Sequence, residues 1–163
     1  MSLDKSVDKQ GRMQILLLFL FGLIIYIGLR TQSEDVVLVI RDNRTDEKIL
    51  IEQISIGDEL HFGWIHSLED FPWQEYFYVT TDHTLMLDTI TFPSFGAGVP
   101  VDRGNASRIE DGLIIMYEIN DEFEEIVWLH SHYFIEHIMI NGDVIALGQD
   151  LPERELRMRI EKR

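Results

Sequence analysis

Two short stretches hold the residues whose types and spacing could do chemistry. In "WIHSLEDFPWQEYFYV", Trp64 to Val79, a His66-Ser67 pair precedes acids at Glu69, Asp70 and Glu75. Histidine, hydroxyl and carboxylate are the parts of a nucleophilic hydrolase, in which the imidazole takes the serine proton and the acid orients the imidazole. The spacing argues against that use. If Glu59 to His66 is a strand, Leu60, Phe62, Trp64 and His66 share its apolar face, and Ser67 points the other way. No G-x-S-x-G elbow is present to expose a nucleophile. The chain is therefore read as non-enzymatic. His66 and Glu75 are expected to point inward on neighbouring strands, where pairing would offset the burial of each. "SLEDFPWQ" between them is expected to be the hairpin loop, bent at Pro72.

The second stretch is "HSHYFIEH", with His130, His132 and His137. Residues i and i+2 of a strand face the same way, and two histidines so placed can seat a metal. His130 and His132 also share a face with Ile126 and Trp128, and partly buried histidines are the simpler account. The chain has no cysteine, which rules out a disulfide framework, a Cys-ligated metal and a Cys nucleophile. No cofactor is implied.

The elements that must position these residues are strands. Period-two alternation rich in Ile, Val, Phe, Trp and Tyr predicts strands at Val36–Arg41, Lys48–Ile54, Glu59–His66, Glu75–Thr80, Leu85–Phe92, Leu113–Ile119, Glu125–His132, His137–Ile140 and Val144–Gly148. "DNRTDE" and "IGDE" read as turns, and Asn141-Gly142 supplies the positive φ angles of a type I′ hairpin. The domain shows no long amphipathic helical repeat. The fold class expected is mainly β: an antiparallel β-sandwich or small barrel. The longest stretch without a strand pattern is Pro93 to Gly112, in which Gly96 and Gly98 permit close backbone approach and Pro100 stiffens the exit.

At the N-terminus, "MQILLLFLFGLIIYIGL" (Met13 to Leu29) runs seventeen residues without a charge between Arg12 and Arg30. As a helix it would span about 25 Å, close to the hydrocarbon thickness once the arginines snorkel. "LRTQSEDV" follows without a small-x-small cleavage site, so an uncleaved signal anchor is expected. Lys5, Lys9 and Arg12 precede the span, and no basic residue follows Arg30 before Arg41. That asymmetry sets the N-terminus in the cytoplasm and the domain outside, single-pass in the cell membrane. From Thr31 onward ten basic residues face 27 acidic ones, a net of −17. So acidic a surface disfavours nucleic acid as a partner. The expected organisation is a cytoplasmic tail at 1–12, a membrane helix at 13–29, a linker at 30–35, an extracytoplasmic β domain at 36–151 and a basic C-terminal tail at 152–163. The tail, "PERELRMRIEKR", is expected to form a short polar helix or to fray.

The His66-Ser67-x-Glu69 run, Glu75 with "EYFYV", and "LDTITFPSFGAGVP" (Leu87 to Pro100) together resemble a small bacterial and archaeal family of unknown function. Its genes commonly neighbour those of TAXI-type TRAP transporters, which pair an extracytoplasmic solute receptor with a membrane permease. The resemblance covers about Val36 to Leu147 and implies a context: a membrane-anchored accessory protein. The hairpin loop after His66 and the Gly96–Pro100 loop are expected at comparable strand ends, forming one recognition edge from His66, Ser67, Glu69, Glu75, Gly96, Ala97, Gly98 and Pro100. Two occupants of that edge stay open. One is the permease or the solute receptor; the other is a small ligand or metal held by an extracytoplasmic binding module.

Overall fold

The computed structural model describes residues 36–163, together with Leu18 and Phe21, which are helical. The expected membrane span at 13–29 otherwise lies outside the described residues. Among the described residues no helix is long and apolar enough to cross a membrane.

The regular structure of residues 36–163 consists of antiparallel strands apart from one 3₁₀ turn. Their order is β1 (Val36–Asp42), β2 (Lys48–Ile54), β3 (Glu59–Ile65), β4 (Pro72–Val79), β5 (Leu85–Phe92), β6 (Ala106–Glu110), β7 (Leu113–Tyr117), β8 (Asp121–Phe123), β9 (Ile126–Leu129), β10 (Ile135–Ile140), β11 (Asp143–Leu147) and β12 (Glu155–Lys162). The 3₁₀ turn, Gly148–Asp150, precedes β12. A four-stranded sheet runs β2-β1-β12-β9. An eight-stranded sheet runs β11-β10-β3-β4-β5-β7-β6, with β8 also paired to β5.

Both sheets contribute to one buried cluster. Val36, Leu38 and Ile40 of β1 and Leu156, Met158 and Ile160 of β12 join Leu60, Phe62, Trp73, Phe77, Leu87, Ile90 and Phe92 of the larger sheet. The alternation of β5 breaks once: Leu85 and Leu87 point inward, then Ile90 and Phe92. The register against β4 shifts between Tyr76 and Phe77, pairing Tyr76 with Thr89 and Phe77 with Leu87. Asp88 is the extra residue of that bulge, and both inward pairs are thereby kept on the core face.

Turn chemistry explains the hairpins. Asn141 (φ 50°) and Gly142 (φ 87°) make the two-residue connection of β10 to β11, as expected. Asp111 (φ 50°) and Gly112 (φ 80°) do the same for β6 and β7. The stretch expected as a loop over Pro93–Gly112 is therefore shorter, because Ala106–Glu110 is a strand paired residue for residue with Leu113–Tyr117. In the "DNRTDE" turn, Asp42 accepts amide hydrogens from Arg44 (2.7 Å) and Thr45 (2.8 Å). These bonds, led by Thr45, with Arg154 at 2.6 Å hold its carboxyl down at about 2.

Two further expectations are corrected. The hairpin loop is shorter than expected, because β4 begins at Pro72, which pairs with Ile65, and Trp73 is buried at the core. Proline is tolerated there as the first residue of a strand. The C-terminal segment neither frays nor forms a helix: β12 lies between β1 and β9, inside the sheet. Its "ELRMRIEK" alternates strictly, with Leu156, Met158 and Ile160 buried. On the other face Arg159 (2.8 Å) and Arg41 (3.0 Å) bond Glu161, and Arg157 bonds Asp46. Chiefly through Arg41, these arginines lower Glu161 to about 2. The β fold therefore extends past Leu151 to Lys162.

Met158 is fully buried. Met158→Ala in the full-length protein is expected to destabilise the domain by about 2–5 kcal/mol, measured by urea denaturation. A frayed tail would show no change.

Candidate functional site

The hairpin between β3 and β4 is closed by the His66 amide donating to Phe71 O (2.8 Å), and the Asp70 amide donates back to His66 O (2.8 Å). Asp70 takes φ 53°, a left-handed conformation that aspartate tolerates better than most residues. The loop proper is thus His66 to Phe71. The His66 side chain is buried within an aromatic stack: ring centroids lie 5.4 Å from Phe71 and 5.8 Å from each of Trp64 and Trp73. Trp73 continues the stack onto Phe92 at 4.8 Å.

The second loop meets this hairpin through Glu69. The Ala97 amide donates to Glu69 Oε1 at 2.7 Å. A Cβ added at Gly96 would lie 2.4 Å from the Glu69 carboxylate carbon, so only glycine allows that carboxylate to sit against the loop backbone. The Val99 amide donates to Gly96 O at 3.2 Å, and Gly98 at the third position of this turn has φ 81°. That is the geometry of a type II turn, which calls for glycine there. Gly98 faces His66 Nε2, Val99 is buried and Pro100 is half-buried. Tyr133 adds a third tie, its hydroxyl donating to Asp70 Oδ1 at 3.2 Å. The two motifs, 28 residues apart in the chain, form one edge. Leu68 (73% exposed) and Phe95 (53%) stand beside Glu69 and Gly96 on that edge, and Tyr133 is likewise exposed.

His66 and Glu75 are placed differently from the expected pair. The Nδ1 of His66 accepts the Glu69 amide at 3.4 Å, while Glu75 Oε1 accepts Trp73 Nε1–H at 3.2 Å. The brace therefore runs through Trp73, in tilted ring contact with His66 at one end and bonded to Glu75 at the other. The register explains this: Glu75 lies opposite Phe62, well inside the strand pair, whereas His66 lies beyond the end of β3. Ser67 and Glu75 both line a cleft of about 410 Å³ between β3, β4 and β10 of the large sheet and β9 of the small one. Burial raises the Glu75 carboxyl above the usual carboxylate range, against the Trp73 hydrogen bond and the positive charge of Arg103. Phe62, Trp64, Trp128 and Phe134 also line this cleft. Alternating ring residues in two predicted strands were the available signal for Phe62, Trp64 and Trp128; Phe134 carried none.

The His130 and His132 pair is structural. β9 ends at Leu129, so both histidines lie past the strand and not on its regular face. Trp128 Nε1–H donates to His130 Nδ1 (3.1 Å), which leaves the proton on Nε2 for Gly148 O (2.7 Å). Both ring nitrogens of His130 are thus engaged, and burial lowers its pKa, favouring the neutral ring. His132 Nε2 meets Leu151 O at 2.8 Å. Among the described residues no group of three or more His, Cys, Asp or Glu side chains is placed to hold a metal ion. His137 joins a separate group on the outer face of the large sheet. There His61 stacks on Tyr76 (4.4 Å), meets the His137 ring edge-on (4.7 Å) and bonds Gln74 Oε1 (2.6 Å).

The Glu69 contact makes a specific prediction. In Gly96→Ala the added methyl displaces the Glu69 carboxylate, and in Glu69→Ala the acceptor is gone. Each variant is expected to speed hydrogen exchange of the Ala97 amide by about tenfold. The double variant should exchange no faster than either single one, because both changes remove the same bond.

No curated protein and no solved structure matches the chain. One family model does, over residues 60–147, from the second residue of β3 to the end of β11. That match takes in the β3–β4 hairpin, the glycine loop and the cleft, and covers more than half of the chain. The chain belongs to the family described as domain of unknown function DUF1850.

Proposed function

We propose that this protein is a membrane-anchored, extracytoplasmic accessory module that works by protein–protein contact, its partner being the permease or solute receptor of a TAXI-type TRAP transporter. One observation carries the contact reading. Two loops distant in sequence are tied by Glu69 to Ala97, and the tie leaves apolar Leu68 and Phe95 facing solvent beside it. Apolar side chains on an ordered edge can bind with little loss of conformational freedom, since the ordering is already present in the free protein. The two sheets sharing one buried cluster are read as a β-sandwich, a rigid support for such an edge.

The transporter association rests on the family resemblance, and the anchor on the apolar run from Met13 to Leu29. Tethering beside the permease raises the effective concentration of the edge, so a contact of modest affinity suffices.

The test is a crosslinking pull-down of the full-length protein from native membranes, with Leu68→Asp/Phe95→Ser beside the wild type. Both positions are exposed, so the variant should keep its fold, checked by circular dichroism. The wild type is expected to recover a TRAP permease or its solute receptor, and the variant about tenfold less, roughly 1.4 kcal/mol of lost contact. Equal recovery by both would move the contact off this edge. Recovery of neither transporter component would overturn the association.

A further inference from the structure

The cleft beneath the loop edge is walled by rings from both sheets. Phe62 and Trp64 come from β3, Trp128 from β9 and Phe134 from the turn before β10. Phe62 and Trp128 meet edge to face across the two sheets, with ring centroids 5.4 Å apart. Trp128 cannot turn freely, because its Nε1–H is held by His130, which is held in turn by Gly148 O. Set among these rings are two polar side chains, Ser67 and Glu75.

Glu75 is the unusual member of the set. Among the described residues its hydrogen-bond donor is Trp73 Nε1–H on Oε1, where a carboxylate accepts several, and Arg103 adds positive charge without a hydrogen bond to it. A carboxylate held in apolar surroundings is unfavourable unless a cation or further donors complete it. The upward displacement of its pKa by burial agrees with that incompleteness.

We infer that this cleft is a binding site for a small organic cation, a quaternary or protonated amine, with Glu75 as counter-charge and Trp64, Trp128 and Phe62 as the aromatic wall. Ring faces attract cations through their quadrupole, tryptophan most strongly, and the attraction grows as water is excluded. The volume of about 410 Å³ is that of a small-molecule site. The net charge of −17 from Thr31 onward draws cations toward the domain and repels anions. The site needs neither the Leu68/Phe95 edge nor a partner protein, and it stands or falls independently of the docking role.

The sequence contains three tryptophans, and all three stand at the cleft: Trp64 and Trp128 line it, and Trp73 bonds Glu75. Intrinsic fluorescence therefore reports on this site. The experiment titrates the full-length protein, in an uncharged maltoside detergent at constant ionic strength, with choline and with its neutral isostere 3,3-dimethyl-1-butanol. Choline should give a saturable change, with affinity at least about tenfold tighter than the isostere. Glu75→Gln should bring the two ligands within about twofold of each other, chiefly by weakening choline. Equal affinities in the wild type would make the cleft merely apolar and overturn the assignment. So would the absence of saturation by choline in the millimolar range, or a choline preference undiminished in Glu75→Gln. Should that variant fail to fold, the indole N–H resonances of the wild type decide. Shifts at Trp64 and Trp128 that saturate at about tenfold lower choline than isostere support the site; unmoved resonances, or the same midpoint for both ligands, overturn it.

Discussion

The pairing of the last strand with the first is the constraint on which the rest of the domain depends. β12 hydrogen-bonds β1 along its whole length, from Val36 opposite Lys162 to Asp42 opposite Leu156. Its other edge holds β9, from Glu155 opposite Leu129 to Met158 opposite Ile126, and β9 ends the sheet on that side. Remove β12 and β9 loses its sheet. With β9 goes Trp128, one wall of the cleft, and the start of the segment through His130 and Tyr133 that ties back to the hairpin loop. The chemistry of β12 fits this place. Leu156, Met158 and Ile160 enter the core, while Arg157 and Arg159 neutralise Asp46 and Glu161 on the outer face. Burial of those three apolar side chains contributes roughly 1.5–3 kcal/mol each, well above what the outer ion pairs add.

From that frame the site is built in two layers. The inner layer is aromatic: His66 stacks on Trp64 and Phe71 and meets Trp73 at a tilt, and Trp73 stacks on Phe92 in the core. The outer layer is polar and short-range: Glu69 on the Ala97 amide and Tyr133 on Asp70. Each outer bond joins segments far apart in the chain, so the edge is ordered by tertiary contacts and not by a regular element. An edge made this way keeps the exposed side chains of loops while losing much of their mobility. His66, which invites a catalytic reading in the sequence, is spent on packing this edge.

Much of the fold was legible because strands announce themselves by alternation and hairpins by their turn dipeptides. β1, β2, β5 and the Asn141-Gly142 turn are where the pattern puts them. The failures have particular causes. Asp111-Gly112 carries the same turn signal as Asn141-Gly142, but it follows Gly- and Pro-bearing residues that read as one long loop, so β6 was submerged in it. β12 was hidden by its charges: five basic residues among twelve suggest a polar tail unless Leu156, Met158 and Ile160 are read as every second position. The meeting of the two motif loops was legible as a common strand-end location. Its agent was not, because Glu69 and Gly96 are joined by a contact that no local pattern encodes. The same holds for Trp73, which replaces the expected His66–Glu75 pair because the hairpin is tighter and β4 starts three residues earlier than the alternation suggested.

The proposed contact between the tied loops and the transporter is tested most directly by placing a photo-crosslinking amino acid at Leu68 of the full-length protein, irradiating native membranes, and identifying the adduct by mass spectrometry. An adduct joining position 68 to a TRAP permease or its solute receptor, absent when the crosslinker sits at exposed Val144 on β11, is the result predicted. Adducts of the same partners in equal yield from both positions, or none to either component, would contradict it.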